Sequence, residues 1–158
     1  MKAKPYLERI KVLDAKIDAR IEEISTLDAI AKKTTSVMGG DRVQASTSQE
    51  KMADCVAKIV DLKKELNQEI DSFIDYRNEV LNLIDVACDA DCHKLLYKRY
   101  IGTFNIEKGK VEFKTWEQIA VEMNFTYQWV SGGLHQRALS QVQKELDARK
   151  ELKERMRV

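Results

Sequence analysis

Polar side chains able to form directed hydrogen bonds are concentrated in residues 126–131, TYQWVS, here called the contact segment. Gln128 carries an amide that donates and accepts at once, a geometry that matches the N6 and N7 atoms of adenine. Thr126 and Tyr127 carry hydroxyl groups that can bond a phosphate, or they can contact a thymine methyl group. Ser131 adds another hydroxyl nearby. These residue types are typical of a segment that contacts base edges in a DNA groove.

Cations near the contact segment are suited to hold phosphate groups. Lys114, Arg137 and Lys144 flank it in the sequence. Residues 1–92 contain 14 Lys and Arg against 18 Asp and Glu, whereas residues 93–158 contain 13 against 8, a net charge of +5. Binding through such cations releases counterions and weakens as salt rises. An equally simple interpretation places Arg137 and Lys144 on solvated helix faces.

Two short helices separated by a tight turn are predicted to position these side chains. Thr115 precedes an amphipathic run and Gln118 follows three residues later, which is the spacing of a capping box. Asn124 can adopt the left-handed conformation that ends a helix, and Thr126 can cap the next one. Ala120 is small where two steeply crossing helices would touch. The pattern indicates a helix-turn-helix.

Bulky side chains of this motif are predicted to fill its interior. We expect Trp116 and Trp129 to pack in the core, because indole bulk at helix starts suits packing between crossed helices. His135 is expected to be exposed or locally hydrogen-bonded. Gly132 and Gly133 each cost about 1 kcal/mol relative to alanine inside a helix, so a bend is expected there.

The N-terminal part predicts a pair of long helices. Apolar residues recur at helical spacing from about residue 6 to 33 and from about 49 to 87. Residues 34–48 contain paired glycines and many hydroxyl residues, which predicts a loop. Single-striped helices cannot bury their stripes alone, so we expect an antiparallel, coiled-coil-like hairpin, or packing against a second copy.

The chain is thus expected to be all-α with three parts. Residues 1–88 form the helical hairpin, residues 89–147 the helix-turn-helix domain, and residues 148–158 a charged helical tail. Asp89 and Asp91 can cap a helix over residues 92–101. Residues 102–114 could form a small hairpin or an irregular loop, and we expect the loop.

Several function classes find no support in the sequence. No stretch approaches the roughly 18 uncharged apolar residues of a membrane span, and the N-terminus has no export signal, so a cytoplasmic location is expected. Cys55, Cys88 and Cys92 are an odd number, which favours reduced thiols. Cys88, Cys92 and His93 lack a second ligand pair at zinc spacing, so we expect no metal and no cofactor. No catalytic grouping or P-loop is present, and we expect no enzyme.

Three segments resemble the fourth region of sigma-70 factors: LLYKRY at 95–100, WEQIAVEM at 116–123 and residues 130–139. More broadly, the chain is similar to small phage-encoded regulators of the ArpU and RinA type. Those join a helical hairpin to a sigma-like helix-turn-helix ending in L-H-x-R-A-L, an ending that this chain matches at residues 134–139. The resemblance implies a transcriptional regulator of late phage genes in a bacterial host cell, which binds double-stranded DNA and in some cases RNA polymerase.

The chain also departs from that family pattern. It has Ser131, Gly132 and Gly133 where relatives place a basic residue, and residues 130–134 are one residue longer than usual. Two alternative functions therefore remain open. One is a structural or interaction protein whose hairpin binds a partner or forms a homo-oligomer. The other is a small DNA-recognition subunit of a phage packaging machine.

Overall fold

The computed structural model describes residues 1–37 and 45–157, which form an all-α protein with one small β-hairpin, as predicted for the fold class. The described helices and strands are α1 (Ala3–Val37), α2 (Ala45–Ala87), α3 (Ala90–Leu96), β1 (Thr103–Asn105), β2 (Lys110–Glu112), α4 (Trp116–Met123) and α5 (His135–Met156). A first π-helical segment (Tyr97–Ile101) continues α3, and a second (Trp129–Leu134) leads into α5.

Both ends of the predicted loop at residues 34–48 are helical, since α1 continues to Val37 and α2 begins at Ala45, and the remaining residues 38–44 lie outside the described residues. None of the helices in the described part of the chain combines the length and apolar character needed to cross a bilayer.

The chain divides into two compact units. The first unit comprises Met1–Val12 and Ile74–Val158, and the second comprises Leu13–Phe73. The first unit includes residues on both sides of the predicted boundary at residue 88, because the beginning of α1 and the end of α2 contribute side chains to its core. Its buried apolar residues include Leu7, Ile10, Val80, Leu83, Ile84, Leu95, Leu96, Ile101, Ile119, Val130, Leu134 and Val142.

The second unit is an antiparallel helix pair with little buried interior. Arg20 on α1 forms ion pairs with Glu65 at 3.3 Å and Glu69 at 3.4 Å on α2. Among the described residues of this unit, Leu62 is the one that is buried. The apolar stripes predicted from the sequence are therefore mostly half-exposed in a single chain.

The ends of α1 and α2 are joined in the first unit by an aromatic pair. The Tyr6 and Tyr76 rings lie 5.4 Å apart, and the Tyr76 hydroxyl donates to the Tyr6 carbonyl oxygen at 2.7 Å. The Tyr6 hydroxyl donates to Glu79 at 2.6 Å, and the Arg9 guanidinium lies over the Tyr76 ring. These contacts fix the beginning of α1 against α2.

Residues 102–114 form a β-hairpin, so the expected irregular loop is wrong. Phe104 pairs with Val111 across antiparallel strands β1 and β2. Gly102 has φ of +71°, and a Cβ there would lie 2.7 Å from the Glu112 carbonyl oxygen, so a side chain does not fit. Asn105 accepts hydrogen bonds from two backbone N–H groups of the turn. The hairpin thus depends on a glycine at its base and an asparagine at its turn.

Candidate nucleic-acid interface

The capping and turn residues predicted for the helix-turn-helix all adopt their predicted conformations and hydrogen bonds. The Thr115 hydroxyl accepts from the Gln118 N–H at 3.3 Å, and the Gln118 side chain accepts from the Thr115 N–H at 2.9 Å, which completes the capping box. Asn124 ends α4 in the left-handed region, with φ of 57°. The Thr126 hydroxyl then accepts from the Trp129 N–H at 3.2 Å and caps the next helix.

That next helix, here called the second helix, comprises residues 127–128, the second π-helical segment and α5. Ile119 and Ala120 of α4 are buried, as are Val130 and Leu134 of the second helix. Ala120 is 6% exposed, which fits its predicted place at the contact between the two helices. Packing on α4 therefore holds the beginning of the second helix in place.

The structure brings the four predicted base-contacting residues together at the start of the second helix. Thr126, Tyr127 and Gln128 are exposed. Ser131 is half-buried, and its hydroxyl donates to the Tyr127 carbonyl oxygen at 2.8 Å. Gln128 therefore presents an exposed amide, with both donor and acceptor atoms, at the start of the second helix.

The three predicted phosphate contacts differ in their surroundings. Lys114 forms an ion pair with Glu122, which also pairs with Lys98. Both lysines lower the pKa of Glu122 by hydrogen bonding to its charged form, Lys114 most. Lys144 is exposed, and the structure records no ion pair for it among the described residues. Lys114 therefore lies before α4 with its charge compensated, whereas Lys144 lies on α5 without an anionic partner.

Arg137 takes part in the contact between α5 and the beginning of α3. Its guanidinium donates to the Asp89 carboxylate at 2.6 Å, and Gln141 donates to the same oxygen at 2.8 Å. Asp89 also accepts from the Cys92 N–H at 3.0 Å and so caps α3. The Gln141 hydrogen bond, followed by the bond from Cys92, lowers the pKa of Asp89 to about 2. Asp89 therefore ties α5 to the beginning of α3.

Arg99 forms a cluster with the aromatic rings of Trp116 and His135, which the sequence did not predict. The Arg99 guanidinium lies 4.4 Å from the Trp116 ring centre and donates to the Lys114 carbonyl oxygen at 3.0 Å. Trp116 is half-buried and meets the His135 ring edge-on at 4.7 Å. The arginine of the LLYKRY segment is therefore a structural group that holds the residues just before α4.

His135 is buried, so the expectation of an exposed or locally bonded histidine is wrong. It is 6% exposed, and its Nε2 lies 2.9 Å from the Tyr100 hydroxyl, 35 residues away in sequence. Burial, followed by the charges of Lys4 and Arg99, lowers the pKa of His135 to about 4. The histidine is therefore neutral at physiological pH and links two helices.

Trp129 is not in the core, contrary to its predicted position. Its side chain is 45% exposed, and the indole lies across Gly133, where a Cβ would be 2.4 Å from ring carbon Cζ3. The π-helical segment Trp129–Leu134 covers residues 130–134, for which the resemblance to phage regulators implies one extra residue. A π-helical turn accommodates one extra residue. Leu134 is buried at the end of this segment.

Cys88 is half-buried and Cys92 is buried. Burial raises the pKa of Cys88 to about 11 and that of Cys92 to about 12, so both thiols are protonated at neutral pH. His93 instead contacts Asp85 at 2.7 Å. Within the described residues, no three His, Cys, Asp or Glu side chains are grouped so as to hold a metal ion.

Comparison of the chain with protein-family models, with curated proteins and with solved structures finds no match. A function for this chain therefore rests on its own residues and their geometry.

Proposed function

We propose that the protein binds double-stranded DNA through the contact segment and acts as a sequence-specific transcriptional regulator. The observation that carries this proposal is the exposure of Thr126, Tyr127 and Gln128 in the first turn of a capped helix that packs on α4. A helix beginning of this kind can enter the major groove and place its first side chains against base edges. Gln128 is the residue that reads adenine.

The charge distribution supports an anionic partner. Residues 123–144, which include the whole contact segment, contain no aspartate or glutamate. Lys144 is available for a phosphate, and Lys114 can exchange its exposed partner Glu122 for one, because surface ion pairs contribute at most about 1 kcal/mol. Arg137 would have to leave Asp89 to do the same. We therefore rank Lys144, for which no ion pair is recorded among the described residues, above Lys114 and Arg137 as a phosphate contact.

We also propose that the helix pair of the second unit forms a homodimer. Ile21, Val56 and Val60 are between 47% and 61% exposed there, and Leu62 alone of the unit's described residues is buried. A second copy would cover these apolar side chains in a four-helix arrangement. A dimer would also present two contact segments to two half-sites.

The regulation of late phage genes and the contact with RNA polymerase stay predictions from the family resemblance. The packaging-subunit alternative uses the same DNA contacts and differs only in the target site. The interaction-protein alternative requires no DNA binding at all.

Fluorescence anisotropy with labelled duplex DNA tests the proposal. The probes are duplexes covering the region upstream of the encoding gene, a candidate packaging site, and random duplexes of equal length, each titrated at several salt concentrations. We expect tight binding to one upstream duplex, with an affinity that falls as salt rises. Preference for the packaging site would favour the packaging alternative, and no binding at moderate salt would favour the interaction protein.

Gln128→Ala provides the matched test of the residue assigned to adenine. We expect it to reduce discrimination between target and random DNA by about 1–3 kcal/mol. Gln68→Ala makes the same chemical change at an exposed position of the second unit and should leave discrimination unchanged. Equal discrimination by the parent and Gln128→Ala would contradict the assigned contact.

A further inference from the structure

Trp129 is a large aromatic side chain that the contacts described so far leave without a role. It lies in the first turn of the second helix, directly after Gln128, and its side chain is 45% exposed. Among the described residues, the structure records no ring stacking and no cation–π contact for its indole. An indole is normally enriched in cores and interfaces because it carries a large apolar area. Its exposure beside Gln128 therefore points to a ligand-facing position.

The local backbone is adapted to let the indole lie close to Gly133 of the same helix. A Cβ at Gly133 would lie 2.4 Å and 2.6 Å from two atoms of the Trp129 ring, so only glycine leaves room for it. Gly132, by contrast, has open space around its missing Cβ. A glycine inside a helix costs up to about 1 kcal/mol relative to alanine. Gly133 thus lowers the stability of the helix and makes room for the Trp129 ring, although this ring remains about half exposed to solvent.

A π-helical segment covers the same residues, Trp129–Leu134. Single π-helical turns are rare within helices and occur frequently at functional sites. Three features therefore coincide in this segment. The helix departs from regular α-helical geometry, Gly133 lowers its stability, and the Trp129 ring is exposed. Local violations of stability rules that coincide in this way are characteristic of functional positions.

We propose that Trp129 is a specificity-determining residue that contacts the C5-methyl group of a thymine in the major groove. This inference rests on the proposed DNA binding and identifies which feature of the duplex the indole would recognise. The thymine methyl is the apolar group on a major-groove base edge, and apolar side chains recognise it by direct contact. Gln128, the neighbouring residue, supplies the polar contact to an adenine.

Duplex DNA is favoured over a protein partner by the surroundings of the ring. No acidic residue lies between Glu122 and Glu145 in the sequence, so this stretch of the chain itself contributes no negative side-chain charge that would repel phosphates. The exposed neighbours of Trp129 in the same turn are Gln128, Tyr127 and Thr126, whose polar atoms suit base edges and phosphates.

Substitution of single thymines by deoxyuridine tests this contact, because deoxyuridine lacks the methyl group and keeps the base pair. Each thymine of the preferred duplex is replaced in turn, and affinity is measured by anisotropy for the parent, Trp129→Ala, Gly133→Ala and Gly132→Ala. We expect one position at which the parent loses about fourfold in affinity, the value of one buried methyl group. Trp129→Ala should bind the unsubstituted duplex more weakly and show no loss at that position.

The two alanine substitutions at glycine form a matched pair. Gly133→Ala should displace the indole and abolish the sensitivity to deoxyuridine, whereas Gly132→Ala should preserve it. Gln128→Ala should also preserve it, since the methyl contact belongs to the neighbouring side chain. If a thermal melt shows that Trp129→Ala is unstable, the sensitivity of Gly133→Ala to deoxyuridine tests the same contact.

The outcomes separate this inference from the proposed function. If the parent discriminates its target but deoxyuridine affects the parent and Trp129→Ala equally at every position, the thymine contact is wrong and DNA binding stands. If Trp129→Ala binds with the parent's affinity, the contact is likewise wrong and the exposed ring fits a protein partner better. If the parent binds no duplex DNA, both proposals fail.

Discussion

The Tyr100 hydroxyl lies 2.9 Å from Nε2 of His135 in the interior of the first unit, and the two rings stack at 6.0 Å. This hydrogen bond links the helix that contains α3 to the helix that begins with the contact segment. Trp116, the first residue of α4, packs edge-on against the same histidine. One buried imidazole of the second helix therefore contacts both α4 and the π-helical segment that continues α3.

Acidification should destabilise the protein through His135. Its pKa in the folded protein is about 4, below the ordinary value of 6.5, so the unfolded chain binds more protons between these values. The histidine imposes no penalty above pH 6.5, and its penalty grows as pH falls toward 4. At pH 5 the loss should be about 2 kcal/mol in the free energy of unfolding.

Urea unfolding at pH 7 and pH 5 measures this loss, with His135→Gln as the non-titrating control. The parent should lose about 2 kcal/mol more than the variant between the two pH values. Parallel losses would show that His135 is not buried in its neutral form.

The two helix glycines should respond to alanine in different ways. Gly132→Ala should stabilise the protein by about 0.5–1 kcal/mol, because nothing lies within 4 Å of the added Cβ. Gly133→Ala should force the Trp129 indole to move, since its Cβ would overlap the ring. Thermal melts give the stability, and the indole N–H signals in a ¹⁵N-correlated NMR spectrum report the ring. Unchanged indole signals in Gly133→Ala would refute the close packing.

Overpacking at the contact between α4 and the second helix should destabilise the first unit. Ala120→Trp inserts a large ring at a position that is 6% exposed, and it should cost at least about 1–3 kcal/mol. Val121→Trp places the same ring at the adjacent position, which is 82% exposed, and should change stability by less than about 0.5 kcal/mol. Equal melting temperatures for the two variants would argue against the observed packing of α4.

Asp89 should matter more for stability than its ionic partner. Asp89→Ala removes the cap of α3, a loss of about 0.5–2 kcal/mol, together with the acceptor of Gln141. Arg137→Ala removes a cation that is 58% exposed and should cost less than about 1 kcal/mol. Denaturant titrations of both variants compare the two values. A larger loss for Arg137→Ala would mean that the ion pair, rather than the cap, joins α3 to α5.

Glu122 should restrain DNA binding by compensating Lys98 and Lys114. Glu122→Gln removes the carboxylate charge and leaves both lysines available for phosphate. Each phosphate newly neutralised should steepen the dependence of log affinity on log salt by about 0.9. Glu151→Gln, at an exposed position near the end of α5, removes an equal charge as a control. Identical salt slopes for the two variants would place Lys98 and Lys114 away from the DNA.

Local rules of sequence were sufficient to predict the framework of the motif. The capping box at Thr115, the left-handed Asn124, the Thr126 cap and the small buried Ala120 all occur where the sequence places them. Each depends on residues within a few positions in the chain or on helical spacing. The all-α class followed in the same way from periodicity and composition.

Features determined by distant contacts were predicted incorrectly or not at all. His135 is buried because Tyr100 and Trp116 surround it, which no local pattern reveals. Trp129 is exposed because Gly133 leaves room for its ring outside the core. The β-hairpin at residues 103–112 has strands of three residues, too short for a clear alternation of apolar and polar side chains.

The most direct test of the central proposal maps the DNA-binding surface by NMR. Backbone amide signals of the ¹⁵N-labelled protein are followed as duplex DNA is added, with a high-salt titration as the control for specificity. We expect the largest changes on residues 126–132 and on the N-terminal end of α4. Changes confined to the second unit, Leu13–Phe73, or no changes at moderate salt, would contradict it.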